Sequence, residues 1–160
     1  MYIHALVKKP LSDPERAQCL RVATECTASR LRRASRAINH VYDETLAPSG
    51  LRGTQFNVLV ALSLFGEVSL FPLAERLGLE RTTVTRNLEP LERDALVTSR
   101  PGADQRVRLL RLTDRGRRAM REAMPLWEKA QARVVNGLGG RRWKELLDGL
   151  DATIGLKEQG

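Results

Sequence analysis

The hexapeptide Arg81-Thr82-Thr83-Val84-Thr85-Arg86 strings guanidinium and hydroxyl groups together at helical spacing. Guanidinium makes paired hydrogen bonds to phosphate or to the edge of guanine, and a threonine adds a hydroxyl and a methyl group. On a helix, Arg81, Thr82, Thr85 and Arg86 share one face with Thr83 near its edge, while Val84, Leu88 and Leu91 turn the other way. Threonine is a mediocre helix former, so three of them on a merely solvated face would be an odd choice. A second cluster follows. Between Thr98 and Arg118 there are seven arginines (100, 106, 108, 111, 115, 117 and 118) against Asp104 and Asp114, an excess of five positive charges. Such chemistry suits recognition of a polyanion by charge and hydrogen bonding. Catalytic chemistry has no comparable support. The two histidines, His4 and His40, lack metal-ligand spacing, and Gly137-x-Gly139-Gly140 has the wrong context for a phosphate loop. No enzyme activity, metal or cofactor is expected.

A helix placed to recognise something needs a scaffold, and the flanking sequence supplies one. Residues 1–13 read as a loose arm. A helical pattern runs from about Glu15 to Leu46, with Leu31, Ala34, Ile38 and Val41 on one face. Ala47-Pro48-Ser49-Gly50 breaks it. Thr54 can cap a second helix to Phe65, Ser69 a third that Gly78 ends, and a fourth spans about Arg81 to Asp94 with Pro90 inside it. Val97–Arg100 and Arg106–Thr113 read as strands around a polar turn, with Val107, Leu109 and Leu110 as the apolar candidates against Arg106, Arg108 and Arg111. Thr113 caps a long helix to about Asn136, and a last helix covers about Arg141 to Leu156. Ala74, Gly78 and Val84 provide the small contact residue, the turn and the branched apolar residue that a helix-turn-helix requires.

The chain has 160 residues, a net charge of +8 and a 42% hydrophobic fraction, enough for a folded core and suited to a polyanionic partner. Arginines outnumber lysines 22 to five. No run of about 18 apolar residues suggests a membrane span, no secretory leader is evident, and two cysteines make no disulfide framework. A cytoplasmic location is expected. The terminal helices carry apolar stripes that a short chain cannot cover, so a second copy should interdigitate with them in a twofold homodimer.

The motifs Leu51-x-x-Thr54-Gln55-Phe56, Leu73-Ala74-x-x-Leu77, Arg81-Thr82-Thr83-Val84-Thr85-Arg86, Leu91-Glu92-x-x-Ala95-Leu96-Val97 and Asp104-x-Arg106 with Leu112-Thr113-x-x-Gly116 resemble the winged helix-turn-helix of the MarR family. The resemblance implies a mainly α fold with a small β-wing. Residues 1–50 would be an arm and dimerisation helix, 51–118 the winged helix-turn-helix domain, and 119–160 the C-terminal dimerisation helices. It also implies a ligand-responsive repressor that binds a pseudo-palindromic operator in double-stranded DNA as a homodimer. Arg81, Thr82, Thr83, Thr85 and Arg86 would meet the major groove. Arg100, Asp104, Arg106 and Arg108 would form the wing contact. From the residues themselves, an acid in a phosphate-facing turn is repulsive unless it holds a neighbouring guanidinium, so Asp104 is expected to orient the Arg106 guanidinium toward the minor groove. Two departures stand out. Glu80 replaces a better-capping Asp, and Ala95 replaces a Gly, which suggests a less left-handed turn there.

Relatives with this resemblance respond to small aromatic or phenolic effectors, and Arg36, His40, Phe56 and Trp127 are the candidates to line such a site. The alternative is a thiol switch at Cys19 and Cys26. Seven residues apart on one intact helix, their Cα atoms would be roughly 10 Å apart, too far to bond directly. A reading from a different class is a sequence-independent architectural or RNA-binding protein, although a 4% aromatic content leaves few stacking platforms for single strands.

Overall fold

A computed structural model describes residues 11–156; the first ten residues of the expected arm, with His4, lie outside them, and its last residue, Asp13, already belongs to a helix. The chain divides into two units, residues 1–37 and 38–160.

The first unit contains α1 (Asp13–Glu25) and the start of α2 (Thr27–Leu46). Glu15 accepts hydrogen bonds from the Ser12 amide at 2.8 Å and its hydroxyl at 2.7 Å, which fixes the start of α1 with Pro14 in its first turn. Sequence periodicity predicts one helix through this region, but the helix breaks at Cys26, whose ψ of 106° is extended. The cause is local. Arg30 donates to the Thr24 carbonyl oxygen at 2.9 and 2.5 Å, replacing the amide partner that a continuous helix would offer. No residue of α1 is buried, and Val22 is 66% exposed.

The second unit is organised around α3 (Gly53–Phe65), which is apolar on most sides and packs against four other elements. Those elements are α4 (Leu70–Leu77), α5 (Arg81–Arg93), α6 (Asp114–Leu138) and the third strand. Thr54 does not cap α3. Asp43 accepts from the Gly53 amide at 2.7 Å and Gln55 accepts from the Arg52 amide at 2.9 Å, so these two side chains satisfy two amides at the helix start. The buried core runs from Leu46 and Leu51 through Phe56, Leu59 and Leu62 to Leu73, Val84, Leu88 and Leu91, and ends at Met120 and Ala123. A last helix, α7 (Gly140–Gly155), packs on α6 and buries no residue fully.

Three short strands form an antiparallel sheet in the order β1-β3-β2: β1 (Val68–Ser69), β2 (Val97–Pro101) and β3 (Arg108–Leu112). Sequence reading misses β1, which is too short to show a period. The phase of β3 differs from expectation at Val107 and Leu109. Leu110 and Leu112 are the buried residues, opposite Val68 and Val97 respectively, whereas Val107 precedes the strand and is exposed. Two adjacent leucines, Leu109 and Leu110, make both phases plausible in the sequence; pairing with β1 selects one.

Thr113 joins the sheet to α6 as expected. Its hydroxyl accepts from the Gly116 amide at 2.9 Å and donates to the Ala95 carbonyl at 2.8 Å, so one side chain both caps the helix and ties it to the turn after α5. That turn corrects the expectation for Ala95. Its φ is +54°, the only positive value among described non-glycine residues. The Leu96 amide reaches back to the Leu91 carbonyl at 2.8 Å, and this closure demands a left-handed residue whichever side chain is present. Relief of left-handed strain (about 1–2 kcal/mol) exceeds the entropy lost by introducing glycine (about 0.4–1 kcal/mol). Ala95→Gly is therefore expected to raise stability by about 0.5–1 kcal/mol, read as a higher denaturant midpoint with unchanged slope. A lower midpoint would contradict the turn described.

Candidate nucleic-acid interface

The helix-turn-helix forms from the residues that sequence spacing picks out. Gly78 ends α4 in the left-handed conformation, with φ +61°, and the Leu79 amide closes on the Ala74 carbonyl at 3.0 Å. Glu80 precedes α5 without a side-chain capping bond, as its extra methylene suggests. Val84, Leu88 and Leu91 are buried, which fixes the rotation of α5 and presents Arg81, Thr82, Thr85 and Arg86 to solvent, with Thr83 half-buried.

A further bond sets the height of α5 against α3. Thr54 donates to Asn87 Oδ1 at 2.9 Å, while Asn87 Nδ2 donates to the Thr83 carbonyl at 2.9 Å. Sequence reading gives Thr54 a capping role and a place in the Leu51–Phe56 motif but not this bond, and the only signal for Asn87 is an amide in the middle of an otherwise apolar helix side. Thr85 donates to the Arg81 carbonyl at 2.9 Å, which leaves its oxygen facing outward as an acceptor. Among the described residues no hydrogen bond or ion pair engages the guanidinium of Arg81 or Arg86. With Thr82, Thr85, Leu70 and Glu89 they line an open cleft of about 470 Å³. Such a surface can donate to phosphate or to a guanine edge, and Glu89 can accept from a cytosine amino group.

The four wing residues singled out in the sequence divide into two kinds. Arg106 is exposed at the tip, and its side chain has no partner among the described residues. Asp104 holds Arg106 by the backbone, accepting from its amide at 2.9 Å, where the sequence argument placed the guanidinium in that role. The Val107 amide bonds to the Asp104 carbonyl at 2.9 Å and the Gly102 amide to the Val107 carbonyl at 2.7 Å, closing the tip. A short acid beside a tight turn satisfies an amide more readily than it reaches a long side chain.

Arg100 and Arg108 are engaged with glutamates. Arg100 forks onto Glu67 with contacts of 2.8 and 2.6 Å. Glu67 precedes β1 and Arg100 lies on β2, so the pair spans β3 on the outer side of the sheet, where the hydrogen bond from Arg100 holds the Glu67 carboxyl below the usual carboxylate range. Arg108 shares its side with the buried Leu110. It donates to Glu92 on α5 at 3.0 Å and to the Ser99 hydroxyl. The wing is thus pinned once on each side. Sequence distance hides both pairs, since their partners lie 33 and 16 residues apart.

The residues singled out for sensing are dispersed. Arg36 and His40 are exposed on α2, whereas Phe56 is 2% exposed in the core and stacks on the partly buried Trp127 with ring centres 6.5 Å apart. Tyr42 donates to Gln131, linking α2 to α6 near that stack, and burial pushes its phenol up from its ordinary range. Cys19 is exposed and Cys26 half-buried at the helix break. A hydrogen bond with Ser29 holds the Cys26 thiol below its ordinary range. Among the described residues no group of His, Cys, Asp or Glu could hold a metal ion, and no helix is long and apolar enough to cross a membrane.

Comparison with known proteins agrees with this geometry. Residues 49–106 match the sequence model of the MarR family. The uncharacterized HTH-type transcriptional regulator YwoH of Bacillus subtilis (strain 168) is 33% identical over 84 residues, covering 52% of this chain. The chain spans about three fifths of the length of the curated relatives it matches, 61% and 63%. Among solved structures, the M. tuberculosis transcriptional regulator MosR in complex with DNA is 41% identical, with a TM-score of 0.70 over 82% of this chain and 98% of that one. Bordetella bronchiseptica BpsR, whose DNA binding is regulated by 6-hydroxynicotinic acid, is 28% identical, with a TM-score of 0.72 over 81% of this chain and 98% of its own.

Proposed function

The chain belongs to the MarR family of transcriptional regulators, and on that premise we propose that it is a cytoplasmic homodimeric repressor of a pseudo-palindromic DNA operator. The observation that carries this reading is the exposed face of α5. The guanidinium groups of Arg81 and Arg86 have no hydrogen bond or ion pair among the described residues while the opposite face is locked into the core, beside a wing with Arg106 at its tip. An α-helix of this kind fits a major groove, and an arginine at a wing tip is favoured in a narrow minor groove. MosR, which is similar over most of both chains, was crystallised with DNA, and this supports the same partner here.

The dimer is inferred from uncovered apolar surface. Leu146, Leu147 and Ile154 on α7 are exposed, Ile154 to 69%, although they recur at helical spacing. In the other unit Leu20 and Val22 on α1 are likewise open. A second copy is the occupant that a twofold operator demands, since it places two α5 helices about 34 Å apart, one turn of duplex. Sedimentation equilibrium at micromolar concentration tests this assembly: a dimer that binds as two chains per duplex is expected, and a lone subunit bound to DNA would overturn it.

An aromatic or phenolic effector would act by favouring an α5 spacing that does not match the operator, and a coupling of about 1–3 kcal/mol suffices for regulation. The regulation of BpsR by 6-hydroxynicotinic acid supports this class. His40, at the surface of α2, is the group here that could meet its carboxylate or phenolate.

The wing pairs make a prediction in which charge and position oppose each other. Removing an acid beside DNA should tighten binding on charge alone. If Glu92 serves to hold Arg108 and the wing, Glu92→Gln instead weakens operator binding, by about two- to fivefold given the modest energy of exposed pairs. Affinities of the two proteins for one duplex at fixed salt decide between these, and tighter binding by the variant would show that Arg108 is restrained from DNA by Glu92.

A further inference from the structure

An α-helix with its side chains is about 10–12 Å across, and the major groove of B-DNA is about 12 Å wide. A helix lying in that groove fills it, so the phosphate strands that bound the groove rest on whatever flanks the helix. One flank of α5 is a cleft of about 360 Å³ between the start of α3 and the second half of α5. Its polar lining is Arg52, Gln55, Arg86, Asn87, Arg93 and Asp94.

The donors and acceptors of this cleft are unequally used. Asp94, its one acid, is paired with Arg93 at 3.3 Å. Asn87 is engaged through both ends of its amide, by Thr54 and the Thr83 carbonyl. Gln55 spends its oxygen on the Arg52 amide, which leaves its NH2 group as a donor. The guanidinium groups of Arg52 and Arg86 have no hydrogen bond or ion pair among the described residues. What remains is a surface of donors with two uncompensated positive charges, suited to a phosphate oxygen. Arg86 also lines the outward cleft with Thr82 and Thr85, so one side chain borders both clefts.

We infer that this cleft seats a backbone phosphate of the bound duplex, with Arg52 as its principal ligand, fixing how deeply and at what rotation α5 enters the groove. The inference rests on the DNA-binding reading and adds an anchor on the side of α5 occupied by the start of α3. Arg52 carries no base information, because a phosphate looks alike at every sequence.

The test measures operator affinity against salt for the full chain and for Arg52→Gln. One phosphate contact contributes about 0.9 to the slope of log K against log salt, so losing one per subunit should lower the dimer's slope by about 2. Affinity should fall about tenfold or more with the preferred sequence unchanged, and Arg52→Lys should keep most of the slope. Duplexes with a single methylphosphonate, which removes one phosphate charge, locate the contact. One position per half-site should weaken the unmodified protein and leave Arg52→Gln indifferent. An unchanged slope, or no such position, overturns the inference. Inorganic phosphate is titrated separately into DNA-free protein; binding that needs Arg52, together with an unchanged DNA slope, would make the cleft a site for a small free anion and overturn the duplex seat. Were the unmodified protein to show no duplex preference while the slope still fell in Arg52→Gln, the sequence-specific reading would fail and the phosphate seat would stand.

Discussion

Gly116→Ala is expected to destabilise the protein by about 3 kcal/mol or more, at or above the upper end of ordinary overpacking. A Cβ at Gly116 would lie 2.0 Å from the Leu96 carbonyl oxygen and 2.8 Å from Leu112 Cδ1. Neither neighbour can yield cheaply. Leu96 is buried, its amide is bonded to the Leu91 carbonyl at 2.8 Å, and its carbonyl receives the Thr113 amide at 3.1 Å. The first turn of α6 would have to lift away, and the Thr113 cap, worth about 1 kcal/mol, would be lost with it. For a chain of this size the thermal midpoint should fall by roughly 10 °C, at about 2–4 °C per kcal/mol. Unfolding at fixed protein concentration provides the check. A loss under 1 kcal/mol would mean that α6 does not approach the turn after α5 as closely as described.

The second large effect concerns binding. Arg86→Ala should weaken the preferred duplex by about 1–3 kcal/mol per half-site and flatten preference at one base pair, as expected when a bidentate base contact is removed. Random duplex should lose only the share due to charge. Arg106→Ala should also weaken binding, but its effect should depend on minor-groove width and be greatest for A·T-rich flanks. Selection of bound sequences from a randomised pool with each variant separates the two roles. An unchanged preferred sequence with Arg86→Ala would move base reading to another face of α5.

The parts of this arrangement that sequence reading reached are those governed by local periodicity. The 3.6-residue spacing of Val84, Leu88 and Leu91 fixes which side of α5 is exposed, and Gly78 marks the turn before it. Thr113 and Gly116 announce a helix start three residues apart, and that bond is present. Non-local pairing escaped it. β1 is two residues long and acquires meaning only beside β3, and the register it imposes decides that Leu110 and not Leu109 faces inward. The partners of Arg100 and Arg108 come from Glu67 and Glu92, so arginines that read as phosphate contacts also hold the wing in place. Ala95 shows tertiary closure overriding residue preference, because the Leu91–Leu96 bond requires a left-handed residue. At the break at Cys26 the Arg30 side chain satisfies the Thr24 carbonyl, a bond between helix ends that hydrophobic spacing does not encode.

The account depends on a pair of α5 helices reading one duplex by its bases. Selection of a randomised duplex pool by the full chain, followed by competition of the enriched site against random duplex at fixed salt, addresses that most directly. The predicted result is a twofold site with half-sites about 10 base pairs apart, preferred over random DNA by about a thousandfold or more. No enriched motif, and equal competition by random duplex, would contradict it.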